Sequence, residues 1–584
     1  MTTENVSNEK KETRETESPG AITIGKTSAP EIAPNTVDEF SFWISPGQIV
    51  NPFDFVSVDH VFGTRTVGIV KEMLAMTDAE SHLSNFVSSE FGKVDIEPST
   101  VRIGTTVARA SVMANTGLKI DDRPEPVEIN MPVENDRPVR FATVSEVDLA
   151  MGIEKIATPI SAGLIEMSNG TCIPVVLDSR YLLGPEAAHI NVSGISGLAT
   201  KTSYMMFLIQ SIVQRMGKEN VAVIVFNVKQ QDLLHIHEEP RDLTDRDLRL
   251  YEKLDMKSKP FENVTYFLPR GEAGRPNSDS IPSNHRVYAY ELGDVRENLD
   301  LLFSEVSDPE FTIASIIDYI RGTWPLHFRE DVERDGRVVR RRGQPVQTWQ
   351  DLKLFEHYPK EVVTHARSLG KFLRHLRRLT SSDMFTESRG GAVYLGEEIR
   401  AIRGGQAFVI DINRINSTEE QAFIIGDVMR SIDEMYSERQ EGIPHRIIIL
   451  IDELNRYAPR REIPAAVGHQ IIEISRTGRS RGTILFGAEQ FKSAVHTQVH
   501  ENSGTHVIGR TGSSELATEP YSFLDRQTKT NITRLNKGEL VLVHAIFRQP
   551  IKIVFPKPSY YRHEIGGGEA PKEKPKPVFL GGKR

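Results

Sequence analysis

The stretch RIIILIDEL, Arg446–Leu454, leaves few folds open. An unbroken aliphatic run is the pattern of a strand buried on both faces, as strands of parallel sheets are. The run stops on two adjacent carboxylates, Asp452 and Glu453. Similar short runs occur in IPVVL, AHINVSG, NVAVIVFNVK, QAFVIDINR, GTILFGAEQ and THVIGRT. Helix-period segments such as GLATKTSYMMFLIQSIVQRMG and EEQAFIIGDVMRSIDEMYSER lie between several of them. That alternation implies a parallel sheet with crossover helices. In such sheets ligands bind beyond the carboxyl ends of the strands, where Asp452 and Glu453 fall. No apolar run approaches the roughly 18 to 20 residues of a bilayer span.

A second constraint is GISGLATKTS, Gly194–Ser203, between the strand-like HINVS and a helical pattern. The usual phosphate-binding loop is G-x-x-x-x-G-K-[ST]. Here six residues instead of five separate Gly194 from Lys201, and Thr200 stands where the second glycine would be. The physics of an anion cradle is nonetheless present, because a helix start offers free N–H groups and the positive end of its dipole. Gly194 and Gly197 permit positive φ and close backbone approach to phosphate. Candidate nucleotide ligands are Gly194, Ser196, Gly197, Leu198, Ala199, Thr200, Lys201, Thr202 and Ser203. Lys201 is expected to reach the β and γ phosphates of ATP, and Thr202 to offer its hydroxyl to Mg2+.

The carboxylates complete that chemistry. Asp452 is placed to hold Mg2+, and Glu453 to orient and deprotonate an attacking water. Gln490 follows the apolar strand TILFGAE, where a polar side chain can sense the γ-phosphate. In SRTGRSRG, Arg476, Arg479 and Arg481 fall between a helix and that strand. They either complement a helix C-terminus or reach a neighbouring subunit's nucleotide as an arginine finger. His189, just before the loop strand, reads as structural.

Length alone, 584 residues, suggests more than one domain. A hydrophobic share of 39% against 26% charged residues is the balance of a soluble globular chain. The single cysteine, Cys172, excludes an intramolecular disulfide and a four-cysteine zinc site. With no apolar segment in MTTENVSNEKKETRETESPG to serve as a secretory signal, the cytoplasm is the expected compartment. A formal net charge of -9 argues against a basic coat for nonspecific DNA binding, although a ring can still gather positive loops at its axis.

Residues 1–36 are polar and read as a disordered tail, and residues 561–584, rich in Gly, Pro and Lys, as a flexible one. Residues 37–149 hold short β-type runs, FSFWIS, DFVSVDH, TRTVGIVKEM, VRIGTTVARASVM and PVEINMP, broken by turn residues, which predict a small barrel or sandwich. Residues 150–270 and 404–560 read as two parts of one α/β core, and residues 271–403 as a helical insertion. Two basic stretches stand out within it. ERDGRVVRRRGQP, Glu333–Pro345, reads as a surface hairpin, and KFLRHLRRL, Lys371–Leu379, as an amphipathic helix with Leu373, Leu376 and Leu379 on its apolar stripe.

Taken together, GISGLATKTS, IIILIDELNRYAP, SRTGRSRG and FGAEQ give the chain a resemblance to HerA-type ATPases, hexameric relatives of the FtsK DNA pumps, from Val37 to about Pro558. The resemblance implies a β-barrel like that of ATP synthase subunits followed by a RecA-like P-loop core. It implies that Lys201 and Thr202 bind phosphate and Mg2+, that Asp452 supports the metal, and that Glu453 is the general base. Gln490 is similar in position to the family's sensor, with Arg479 the first choice and Arg476 the second for a finger acting in trans. NVKQQDLL resembles the segment after the second core strand, which would set Lys229 and Asp232 at the nucleotide site or a subunit contact. The stretched loop departs from the family pattern and resembles the variant loops of bacterial relatives in anti-phage systems.

The implied assembly is a homo-hexamer that moves along double-stranded DNA and drives a nuclease or a sirtuin-like NADase docked on the barrel. The alternative is a hexameric scaffold, gated by nucleotide, that assembles and restrains such a partner with little translocation. A plasmid-transfer or chromosome-segregation pump is a third reading, disfavoured because such relatives commonly carry membrane spans.

Overall fold

The computed structural model describes residues 22–97, 102–121, 125–195, 201–217, 220–229, 231, 233–304, 306, 308, 310–334, 337–353, 366–438, 442–460 and 465–562. The chain divides into two compact units, the smaller built mainly from residues 1–155 and the larger mainly from residues 174–545.

In the smaller unit β1 (Thr23–Thr27), β2 (Glu39–Ile44), β3 (Phe55–Asp59), β4 (Arg65–Thr77), β5 (Gly104–Asn115) and β6 (Pro138–Phe141) close into a barrel. Their order around it is β1-β2-β5-β4-β3-β6, and neighbours pair antiparallel. Strand alternation makes the interior: Phe40, Phe42, Val56, Val58, Val70, Ala108, Ala110 and Val139 form its buried cluster. Two expectations are corrected here. The first 36 residues are not all tail, because Thr23–Thr27 lies among them and pairs with both β2 and β6. Its sequence TIGKT carries one aliphatic residue, Ile24, so burial comes from its neighbours rather than its own pattern. Gly25 is required there, since a Cβ would stand 1.8 Å from the Trp43 carbonyl oxygen. The second correction concerns PVEINMP. It contributes only an isolated bridge, Val127 to Leu118, and the sixth strand is Pro138–Phe141.

The larger unit is organised by a 12-stranded sheet. Its strands are β7 (Pro159–Glu166), β8 (Cys172–Asp178), β9 (Ile190–Ser193), β10 (Val221–Asn227), β11 (Val264–Pro269) and β12 (His285–Tyr288), then β15 (Ala407–Asp411), β16 (Arg446–Ile451), β17 (Thr483–Glu489), β18 (Thr505–Ile508), β19 (Glu539–His544) and β20 (Ile551–Val554). The remaining pair, β13 (His327–Arg334) and β14 (Arg337–Pro345), is a separate antiparallel hairpin, as expected of the first basic stretch. The sheet runs β12-β11-β15-β10-β16-β17-β9-β18-β19-β20-β7-β8. From β12 to β18 every pairing is parallel, and β19 turns antiparallel to β18. β9 is followed by the stretched loop and by helix α1 (Lys201–Met216), which leads to β10, while β16 and β17 insert between β9 and β10. This is the strand arrangement of a RecA-like P-loop core.

β12, which lies within residues 271–403, belongs to the main sheet, so that region is not a helical insertion throughout. Its helices α2 (Thr312–Gly322) and α3 (Ala366–Leu379) pack into the same apolar core, where Phe303 stacks on Phe372 at 4.9 Å and the Trp349 indole donates to the Tyr290 carbonyl at 3.0 Å. On α3 Leu376 and Leu379 are buried, while Arg377 donates to the Lys353 carbonyl and Arg378 pairs with Glu419. Two longer helices frame the central strands. α4 (Thr418–Ser437) starts on Ser417, whose hydroxyl accepts from the Glu420 N–H, and α5 (Ala466–Arg481) ends on Gly482 at φ 92°. Among the described residues no helix is long and apolar enough to cross a membrane.

Candidate functional site

The site forms where the parallel strands end. Strand β17 lies between β9 and β16, so the residues following all three strands converge on one edge. Gly194 leaves β9 at φ 151°, and a Cβ there would stand 3.1 Å from the Gly509 Cα. The Ile195 N–H is tied to the Arg510 carbonyl at 2.9 Å. A glycine at this position therefore lets the outgoing loop pass against the chain beyond β18. Ser196, Gly197, Leu198, Ala199 and Thr200 lie outside the described residues, as does Asp232.

Lys201 opens α1 with its side chain buried, and its ammonium donates to the Gly194 carbonyl at 2.9 Å. Burial pushes that ammonium below its ordinary pKa and Lys229 adds to the effect, against the opposing pull of Asp452, Glu453 and Glu489. The Thr202 hydroxyl donates to Asp452 Oδ2 at 2.8 Å, across 250 residues of sequence. These are hard oxygen donors, the chemistry that suits Mg2+. The two therefore fit a magnesium ion.

Glu453, the second residue beyond β16, adopts a left-handed conformation, φ 59° and ψ 44°, and its N–H donates to Asp452 Oδ1 at 2.9 Å. A non-glycine residue in that conformation costs about 1–3 kcal/mol. Gln490 donates to Glu453 Oε1 at 3.2 Å. Lys229, beyond β10, reaches both carboxylates, at 2.9 Å from Asp452 Oδ2 and 2.8 Å from Glu453 Oε1. Burial disfavours charge on both partners, but pairing outweighs it. Lys229 ends above its usual pKa, raised by Asp452 and Glu453, and Glu453 ends below its own, lowered by Lys229, Gln490 and Lys201.

The structure thus brings Gly194, Lys201, Thr202, Ser203, Asp452, Glu453 and Gln490 to one strand edge. It does not bring the arginines there. Arg476, Arg479 and Arg481 are exposed near the end of α5, at the opposite end of β17, and a seven-residue strand spans about 20 Å. Arg481 pairs with Asp433 at 2.8 Å, Arg476 lies 3.5 Å from Glu473, and Arg479 donates to the Glu186 carbonyl at 2.6 Å. His189 is buried at φ 69° and accepts from the Leu485 N–H at 2.9 Å, which ties the start of β9 to β17.

Sequence reasoning missed the residues behind Gln490. Glu489 is fully buried beneath Gln490, and Lys492 is buried with its ammonium 3.2 Å from His506 Nδ1 and 5.1 Å from the Phe523 ring centre. Burial drives the Glu489 carboxyl up and the Lys492 ammonium down, each opposed by the other's charge. The signal was the charged residue directly before Gln490 in AEQ, where a buried strand should end apolar.

No protein-family profile matches the chain. A search of curated proteins finds no match either. Among solved structures, VirB4 of Thermoanaerobacter pseudethanolicus aligns at 15% identity over 68% of this chain and 96% of its own, with a TM-score of 0.42. The plasmid coupling protein TrwB in complex with ADP and Mg2+ aligns at 10% identity over 64% of this chain and 88% of its own, with a TM-score of 0.37. The genome packaging NTPase B204 from Sulfolobus turreted icosahedral virus 2, in complex with ATP-gammaS, aligns at 8% identity over 28% of this chain and 72% of its own, with a TM-score of 0.21.

Proposed function

We propose that the chain is a P-loop ATPase that hydrolyses ATP with Mg2+ and works as a ring-shaped motor on double-stranded DNA. The observation that carries the ATPase reading is the convergence of Lys201, Thr202, Asp452, Glu453 and Gln490 on one strand edge from segments 250 residues apart. Lys201 binds the β and γ phosphates, with Gly194 and residues 196–200 forming the cradle and Ser203 behind it. Thr202 and Asp452 hold Mg2+, which supplies charge neutralisation of the phosphates. Glu453 takes the proton of the attacking water, and Gln490 positions that water against the γ-phosphate.

Ring assembly accounts for the arginines. Exposed and about a strand's length from their own site, Arg479 first and Arg476 second are suited to a neighbour's nucleotide. On this reading the assembly is a hexamer. The partner enzyme, a nuclease or a sirtuin-like NADase of an anti-phage or DNA-end-processing system, docks on the barrel unit, where Leu83, Phe91 and Ile103 expose apolar side chains in the segment joining β4 to β5.

Glu453→Gln tests the chemistry. It keeps ATP binding and abolishes turnover if the carboxylate is the base, and unchanged turnover removes Glu453 from that role.

A further inference from the structure

The register of β10 with β16 pairs Val225 with Leu450, so the chain leaving β10 emerges beside Asp452. Lys229 comes two residues after that strand and turns its ammonium onto both carboxylates, 2.9 Å from Asp452 Oδ2 and 2.8 Å from Glu453 Oε1. Asp452 Oδ2 is the same oxygen that accepts from the Thr202 hydroxyl. A divalent cation drawn to Thr202 and Asp452 therefore meets an ammonium already seated on the oxygen it needs, like charge against like. The Lys229 side chain is 38% exposed, and its four-carbon stem is long enough to swing clear.

We propose that Lys229 is a built-in counter-cation that competes with the divalent metal for Asp452, so that the metal enters with the nucleotide rather than ahead of it. The proposal rests on the ATPase reading of the site. Lys229 offsets one of the two negative charges of Asp452 and Glu453 and occupies Asp452 Oδ2, so a bare metal ion gains less by binding there. A polyphosphate brings its own negative charge, holds the metal from the other side and releases the ammonium from Asp452. Lys229 is on this account a positioning residue. Its ammonium keeps the carboxylates close together and decides the order in which the ligands arrive.

The test is Mn2+ binding to the full chain without nucleotide, read by electron paramagnetic resonance, in wild type, Lys229→Met, Lys229→Arg and the double variant Lys229→Met/Asp452→Asn. Thermal unfolding of each variant confirms that it is folded. Lys229→Met should gain one Mn2+ site per chain, at least tenfold tighter than any wild-type binding. Lys229→Arg should still exclude the ion, and the double variant should lose the gained site. Equal Mn2+ binding by wild type and Lys229→Met overturns the proposal. So does a gained site that survives Asp452→Asn, because it then lies elsewhere. Binding of a fluorescent ATP analogue to wild type in the same buffers separates the two readings. If Mn2+ behaves as expected but no nucleotide binds, the ATPase reading fails while the competition stands. If nucleotide binds and Mn2+ does not distinguish the variants, the competition fails alone.

Discussion

Gln490 Nε2 and Glu453 Oε1 are 3.2 Å apart, joining the residue that follows β17 to the second residue beyond β16. The amide and the Lys229 ammonium meet the carboxylate at the same oxygen. Gln490→Ala is expected to lower kcat by roughly hundredfold to thousandfold, on the scale of a lost positioned donor. ATP affinity should be retained. Steady-state kinetics with a separate binding titration check the split, and a change confined to affinity would place Gln490 on the nucleotide instead.

Arg479 sets a prediction about assembly. Arg479→Ala subunits mixed with wild type should depress turnover below the proportion of wild-type chains present, because each variant removes a group from its neighbour's site. Fingers of this kind contribute roughly three to five orders of magnitude in other phosphoryl-transfer systems. A linear decline with the wild-type fraction would mean that each chain supplies its own arginine or needs none.

His189 gives a prediction about stability. His189→Ala leaves the buried Leu485 N–H without its acceptor, which should cost about 1–3 kcal/mol in a chemical denaturation series. Burial first, and the nearby Arg479 charge second, hold this imidazole at about 4. The unfolded chain titrates near 6.5. Between those values the unfolded state binds the extra proton, so the histidine's contribution is full at neutral pH and declines as pH falls from about 6.5 toward about 4. The variant should therefore lose less stability than wild type over that interval. Parallel curves would show that His189 titrates alike in the folded and unfolded states.

The barrel supplies a fourth expectation. Deleting residues 1–30 removes β1 and leaves β2 and β6 as open edges, which invite edge-to-edge association. Gly25→Val should act in the same direction by forcing a side chain against the Trp43 carbonyl. Lower thermal stability and concentration-dependent aggregation are the expected results. A truncated chain that melts like the full one would make β1 dispensable.

Much of this arrangement was legible. RIIILIDEL announced β16 and its two carboxylates because a doubly buried strand must be apolar until it meets solvent. GTILFGAEQ announced β17 and Gln490 for the same reason. Strand β1 was not legible, because TIGKT borrows its burial from β2 and β6. Nor was β12, where HRVY occurs amid helical patterns and only its parallel partner β11 makes it a strand. Lys229 drew notice only by likeness. Its place on both carboxylates depends on β10 lying next to β16, a fact of sheet order that no local pattern encodes. Glu489 and Lys492 escaped for a related reason, since charged residues in sequence read as exposed until tertiary packing covers them.

The most direct measurement is ATP turnover by the purified wild-type chain and by Lys201→Ala, with and without double-stranded DNA, together with the mass of the assembly. The account predicts a hexamer whose turnover rises with DNA and is lost in Lys201→Ala, with the stretched loop working as a phosphate cradle. Wild-type turnover that is negligible with and without DNA, or that survives Lys201→Ala, would contradict it.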